Sequence, residues 1–440
     1  MEGIEFEPPK SHLFDKIILI FFGIAALLGW NALLTELDFF FYFLSDINPY
    51  RSFSFLNYFL NISFQFIIVW KKNLMSLNTQ LIFGIIGSII FLVLTPLFAC
   101  TLGINTMINK VLTAGSVILM GFTNALASGG FFGYAGHFPL ESIVLFTVGQ
   151  GLSGIGPNIF QYIILATVKI DDVEKQYIVR AWIFFGINVL ILLICLFLLF
   201  FSFRDEYCKY YINKANNIMP SSNNETRILK SMTNEESGET VPEDNNQQIQ
   251  NIDQENMIVA NPAPTFRYVF KKLMSYDLIA CYGYIITFAL FPNASIEQKL
   301  FDIGEYNSVT VIALYNAFDT IGRYLVKYLN PTKRKDFIIM IGRTLLLFTI
   351  IFNYYLQEKT EAPLALTSIL LIINVVILGM TNGIGAAMTF GLAAESAEDD
   401  IKEQAGSSIS FFSILGIFLG SCLAFATGAI IDTFKNKPNE

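Results

Sequence analysis

The chain has 440 residues, 54% of them hydrophobic and only 15% charged, with a mean hydropathy of +0.53, which is too apolar for a soluble domain with an ordinary polar surface. Its formal net charge of -8 leaves no basic footprint for nucleic acid. An all-α integral membrane protein, with a lipid bilayer as its solvent, is the class that remains.

Residues Met1 to Lys16 are acidic and polar, and the apolar run behind them is longer than a signal peptide's apolar core. It is therefore expected to persist as the first span, Phe14 to Thr35. Trp30 lies too deep in this span for an interfacial aromatic belt. Inside a bundle its indole either stacks on a planar ring or packs in the core with its N–H bonded across helices. Glu36 and Asp38 follow near the outer end, a position that suits a solvated mouth rather than a proton relay.

The second and third spans are read as Phe53 to Trp70 and Gln80 to Phe98, the fourth as Val111 to Gly136, and the fifth as Ser142 to Val168. Spans four and five are dense in small residues, from Ser128, Gly129, Gly130, Gly133 and Gly136 to Gly149, Gly151, Ser153, Gly154 and Gly156. Such spacing lets backbones approach closely. The sixth span, Ala181 to Phe203, closes an N-terminal half over residues 1–203.

From Arg204 to Asn261 the chain is rich in Asn, Gln, Glu and Ser and poor in aromatics. Such a stretch buries too little apolar surface to offset the entropy of ordering. Residues 204–275 are thus expected to be a disordered polar loop, free to meet partners of unspecified kind. Five further spans make the C-terminal half, residues 276–440: Tyr276 to Phe291, Ser308 to Leu329, Phe337 to Leu356, Leu364 to Ala393, and Gly406 to Ile431. The count is about eleven, in a 6+5 arrangement of two bundles around a cavity.

The eighth span holds two charges, although one charge at mid-bilayer already costs roughly 2.5 to 3.5 kcal/mol. Asp319 and Arg323 are one helical turn apart and share a face with Asn316. The pair either meets the hydroxyl groups of a polar solute in a wet cavity or pins two helices together.

Positive charge is concentrated at Lys71 and Lys72, Arg204 and Lys209, Lys271 and Lys272, and Lys333 to Lys335, all on one side of this layout. That side is expected to be cytoplasmic and to hold the N-terminus and the polar loop, with the C-terminus outside. Lys169, Lys175 and Arg180 count against this assignment without reversing it. The sequons at Asn224 and Asn293 differ in that only Asn293 falls near the outer side.

Five cysteines without metal or redox spacing argue for no disulfide framework, and the histidines His12 and His137 lack ligand partners at metal spacing. No metal or cofactor is expected. Nucleophile and base sets, phosphate-cradling loops and ATP motifs are likewise missing from the sequence, so an enzyme is not expected.

Gly29, Trp30 and Asn31 resemble a Pro-Trp-Asn signature, with Gly29 in place of the proline. Asn316, Asp319, Gly322 and Arg323 match an Asn-x-x-Asp-x-x-Gly-Arg pattern. Weaker likenesses are Phe132 to Gly136, Gly149 to Gly154, Thr381 to Gly383, and Ala405 to Gly420. Together they extend over nearly the whole chain and identify it as similar to the equilibrative nucleoside transporters. The resemblance implies a major-facilitator-like fold of eleven spans in the orientation read above.

It also implies a carrier of nucleosides or nucleobases, purines favoured, working by facilitated diffusion in the plasma membrane. Trp30, Leu27 and Leu34 would line the base-binding part of the cavity, while Asp319, Arg323 and Asn316 would serve the ribose. Many members have a glutamine where this chain has Ser128, whose single hydroxyl cannot replace a two-point amide contact. The alternatives are a carrier of organic cations or another small metabolite and, from a different class, a membrane receptor or scaffold.

Overall fold

The computed structural model describes residues 9, 11–71, 74–101, 103–215, 266–398 and 401–435. The regular elements in them are helices: α1 Leu13–Thr35, α2 Leu37–Leu44, α3 Pro49–Trp70, α4 Leu77–Cys100, α5 Met107–Gly136, α6 Leu140–Thr167, α7 Val173–Ser202 and α8 Glu206–Ala215. After residue 265 come α9 Phe266–Leu290, α10 Asn293–Ile296, α11 Asn307–Leu325, α12 Lys333–Gly342, α13 Leu345–Lys359, α14 Leu364–Ser396 and α15 Lys402–Lys435. Side-chain caps set several starts: Ser76, Thr106, Asp172 and Thr332 each accept from the backbone N–H three residues on, satisfying a donor the helix leaves open.

Nine helical segments among the described residues are long and apolar enough to cross a membrane. The other two predicted spans are the helices α3 and α11, of 22 and 19 residues. Both carry polar stripes that face inward. Asn57, Asn61 and Gln65 repeat every fourth residue along α3 and are buried, as are Asp319, Thr320 and Arg323 of α11. Large apolar residues such as Phe83, Leu190, Phe197, Phe348 and Phe352 are instead exposed on the rim, where lipid rather than water suits them.

The ninth span is broken. The helix stops at Gly342 and restarts at Leu345, with a tightened bond from Leu346 N–H to Arg343 O across the joint. Two pieces of the expected polar tether are helical: α8 lies inside it, and α9 begins at Phe266, ten residues before the expected Tyr276. The remainder of that segment, residues 216–265 with the Asn224 sequon, lies outside the described residues.

Within the first half α1 packs on α6, and α5 packs on both α3 and α4; within the second, α9 packs on α15 and α11 on α14. The halves meet where α3 and α5 face α15 and where α6 faces α11 and α14. This seam is what positions the site.

Glycines allow the close approach expected of spans four and five. A methyl group at Gly149 would lie 2.0 Å from the carbonyl oxygen of Ile20, and one at Gly151 2.3 Å from Thr320 Oγ1.

Candidate functional site

The spacing of Asn316, Asp319 and Arg323 puts them on one side of α11, and glycines decide how near that side comes to α14. Added Cβ atoms at Gly322 and Gly383 would lie 2.3 and 1.8 Å from the carbonyl oxygens of Met380 and Asp319. The contact brings Asn382 of α14 to the carboxylate, and its Nδ2 donates to Asp319 Oδ1 at 2.7 Å. Arg323 Nε donates to Asp319 Oδ2 at 2.7 Å, and Arg323 Nη1 reaches across the seam to Gln150 Oε1 at 2.9 Å. Both charges are buried, at 5% and 3% exposure. Removing one partner of such a pair costs roughly 3 to 5 kcal/mol, because the other charge is then left uncompensated.

The network extends to a residue the sequence reading passed over. Arg343, at the break in the ninth span, donates to Thr287 Oγ1, to Asn382 Oδ1 at 3.3 Å and to Gly283 O at 3.1 Å. Arg343, Asn382, Asp319, Arg323 and Gln150 thus form one chain of polar contacts from the rim of the second half into the first. The signal for Arg343 was the same as for Arg323, a charge inside an apolar run. Gln150 and Asn382 are neutral amides and gave only a weak signal.

Opposite this wall stands Trp30, 5% exposed and edge-on to Tyr58 at 5.1 Å between ring centres. Its Nε1 is buried with no hydrogen-bond partner among the described residues, while its ring packs in the hydrophobic core. The neighbouring Asn31 has a different task. Its Nδ2 donates to Ser153 Oγ at 2.6 Å and fastens α1 to α6, which fixes the direction from which Trp30 enters.

One cavity of about 90 Å³ lies between the two walls. Leu27, Trp30, Leu34 and Ser128 border it from the first half, and Asn316, Asp319 and Arg323 from the second. Every site residue expected from the sequence is therefore on a single lining, joined by Gln150, Tyr284 and Asn382. Ser128 turns its hydroxyl to its own helix, donating to Asn124 O at 2.7 Å. Gln150 Nε2 is a second buried donor without a hydrogen-bond partner among the described residues. The volume is below the ~300 to 1,000 Å³ usual for ligand pockets.

The cavity is flanked by contacts between the halves at both ends. At one end Arg51 binds Glu297 at 3.0 Å and Asp432 at 2.7 Å, and Glu305 binds Lys169 at 2.8 Å and Arg180 at 2.9 Å. Burial would raise the Glu305 carboxyl, but hydrogen bonds from Lys169 and Arg180 hold it below the ordinary glutamate value. Asp38 accepts from Tyr50 of its own half and from Ser308 of the other, the latter at 2.8 Å.

Glu36 corrects the expectation of a solvated mouth: it is 2% exposed. Desolvation, aided by the nearby Asp38 charge, pushes its carboxyl up to about 8. Asn293 is buried as well and donates to Ala424 O at 3.3 Å, so its sequon is not an accessible acceptor in the folded chain.

At the opposite end backbone meets backbone. A methyl group at Gly406 would lie 2.2 Å from Phe132 O, and one at Gly136 2.6 Å from Lys402 O. Phe132 and Phe390 add a ring contact across the seam at 5.0 Å.

With this geometry described, the chain can be set beside known proteins. A family model described as Nucleoside transporter matches residues 114–429. Equilibrative nucleotide transporter 7 of Arabidopsis thaliana is 25% identical over 426 residues, covering 93% of this chain and 94% of that one. Equilibrative nucleoside transporter 2 of Rattus norvegicus is 24% identical over 462 residues, covering 96% and 99%. Among solved structures, the major facilitator superfamily proton:xylose symporter XylE bound to 6-bromo-6-deoxy-D-glucose superposes with a TM-score of 0.58 at 11% identity, over 96% of this chain and 95% of that one. The E. coli fucose:proton symporter FucP gives 0.53 at 11%, over 98% and 100%. These last likenesses concern the fold alone, and that fold is the major-facilitator one expected from the sequence.

Proposed function

The chain belongs to the nucleoside transporter family, and from that premise we propose that it carries purine nucleosides and nucleobases by facilitated diffusion, the two halves rocking about the cavity between Trp30 and Arg323. It is a multi-pass membrane transporter and not an enzyme. The observation that carries the finer reading is the division of the cavity into an aromatic wall and an ionic wall. A planar base fits the first, where stacking on one aromatic ring contributes about 1 to 3 kcal/mol. Ribose hydroxyls fit the second, with Asp319 accepting and Arg323 donating.

Trp30 Nε1 and Gln150 Nε2, both buried without hydrogen-bond partners among the described residues, are the donors left for acceptor atoms on the solute. Each costs roughly 1 to 3 kcal/mol while unmet, so a solute that meets them regains that energy. Gln150 thereby supplies an amide that Ser128 does not. Asn316 supports the polar wall, and Leu27 and Leu34 bound the base. Affinity stays modest, about -4 to -8 kcal/mol, because the solute must leave again.

We place the N-terminus in the cytoplasm, the C-terminus outside, and the protein in the plasma membrane. Lys169, Lys175 and Arg180 on the outer side weaken the positive-charge count without reversing it.

The test is uptake of labelled purines and pyrimidines into liposomes holding the full chain, for wild type and Arg323→Ala, with and without a pH gradient. Purine uptake that saturates, ignores the gradient and falls at least a hundredfold in Arg323→Ala supports the proposal, as expected from a loss near 3 kcal/mol. Unaltered flux in the variant removes Arg323 from the site.

A further inference from the structure

On the lipid-facing rim of the second half, a groove of about 940 Å³ runs along the junction of α9 and α12. Its walls are apolar: Leu278, Ile279 and Ile285 on one helix, Phe337, Met340 and Ile341 on the other. Leu278 and Phe337 are each 52% exposed, so this surface is open to the surroundings rather than covered by another helix. Lys333 and Arg334 line one end of the groove only. Neither forms an ion pair among the described residues. The carboxylate on the same helix, Asp336, is buried and turned away to accept from Thr389 of α14 at 2.6 Å.

The dimensions match half a bilayer. The lining on α9 runs from Ser275 to Ile285, which at 1.5 Å per residue is about 15 Å, one leaflet of a hydrocarbon core ~30 Å thick. A ligand with a long apolar tail and an anionic head is complementary along the whole length, the tail between the walls and the head at Lys333 and Arg334. We propose that this groove is a binding site for an anionic phospholipid drawn from the leaflet on the Lys333 side.

The occupant braces α12 against α9. That matters to the interior because Met340, a groove wall, also lies against Arg343, with its sulfur 3.5 Å from Nη1. A lipid in the groove therefore sits one side chain away from the polar chain that runs through Asn382 and Asp319 to Gln150.

The test uses the purified full-length chain in phosphatidylcholine vesicles doped with photo-crosslinkable phosphatidylserine, and unlabelled phosphatidylserine or phosphatidylcholine as competitor. Labelling is expected on peptides spanning Ser275 to Ile285 and Lys333 to Ile341, and only phosphatidylserine should compete. Each basic residue near an anionic headgroup contributes about fivefold in affinity. K333Q/R334Q should accordingly lower phosphatidylserine retention by roughly 25-fold. Equal competition by phosphatidylcholine, labelling confined to other peptides, or undiminished retention in the double variant would overturn the proposal, and the mapping on wild type decides it even where the variant does not fold.

Discussion

The two ends of the cavity are closed by different physics. At the Arg51 end, charged and hydroxyl side chains from one half meet carboxylates of the other. At the Gly406 end, helices approach until carbonyl oxygens fill the space where a Cβ would stand. Ionic contacts reach over several ångströms and tolerate small shifts, but they answer to salt and pH. Backbone contacts answer to neither, and they tolerate almost no added volume. One end is thus held mainly by charge and the other mainly by shape, with His137 and Glu403 within 3.9 Å of each other at the second.

The most severe way to break this comparison is to add volume where there is none. Gly406→Val is expected to lower liposome uptake about a hundredfold, in line with overpacking costs of roughly 1 to 3 kcal/mol. A valine tolerated there with normal flux would show that this end does not close by backbone contact.

The comparison is sharpened by pH, with a cysteine at Ala294 as the reporter, since Ala294 is fully buried near the Arg51 end. Glu36 titrates near 8 when that end is closed and returns toward its ordinary value, about 4.3, when water reaches it. Between those values closing takes up a proton. It is therefore favoured as pH falls and weakened as pH rises through about 8, by up to tenfold per unit. Thiol labelling of Ala294→Cys should rise with pH, and Glu36→Gln should flatten the profile; a profile unchanged by that substitution would exclude Glu36 as the group.

Arg51→Ala is expected to give a smaller effect, a several-fold rise in the same labelling at low salt. Its side chain is 15% exposed and Asp432 is 42% exposed, so solvent already screens part of the interaction. High salt should raise wild-type labelling toward the variant's level. A rise at the Gly406 end as well would mean that the two closures are not independent.

What the sequence disclosed followed from cost. Asp319 and Arg323 stood out because charge inside an apolar run is expensive, and their spacing gave the face they share. Trp30 stood out by depth. Gln150 and Asn382 are cheap to bury by comparison, so hydropathy scarcely registers them, although they bond directly to the pair. Glu36 was misjudged because the groups that face it include Gln161 and Arg180, 125 and 144 positions later in the chain. The burial of Asn293 was likewise hidden, since Arg51 and Ala424 that enclose it are far away in the sequence. Helix positions were legible from run length, whereas the break at Arg343 was not, because neither Pro nor a Gly pair marks it.

That break has a mechanical consequence. A continuous rod answers a thinner or thicker bilayer by tilting as a whole. Here the ten residues of α12 make a segment about 15 Å long, followed by the fifteen of α13. A span in two pieces has its joint at Arg343, the residue that bonds to Asn382.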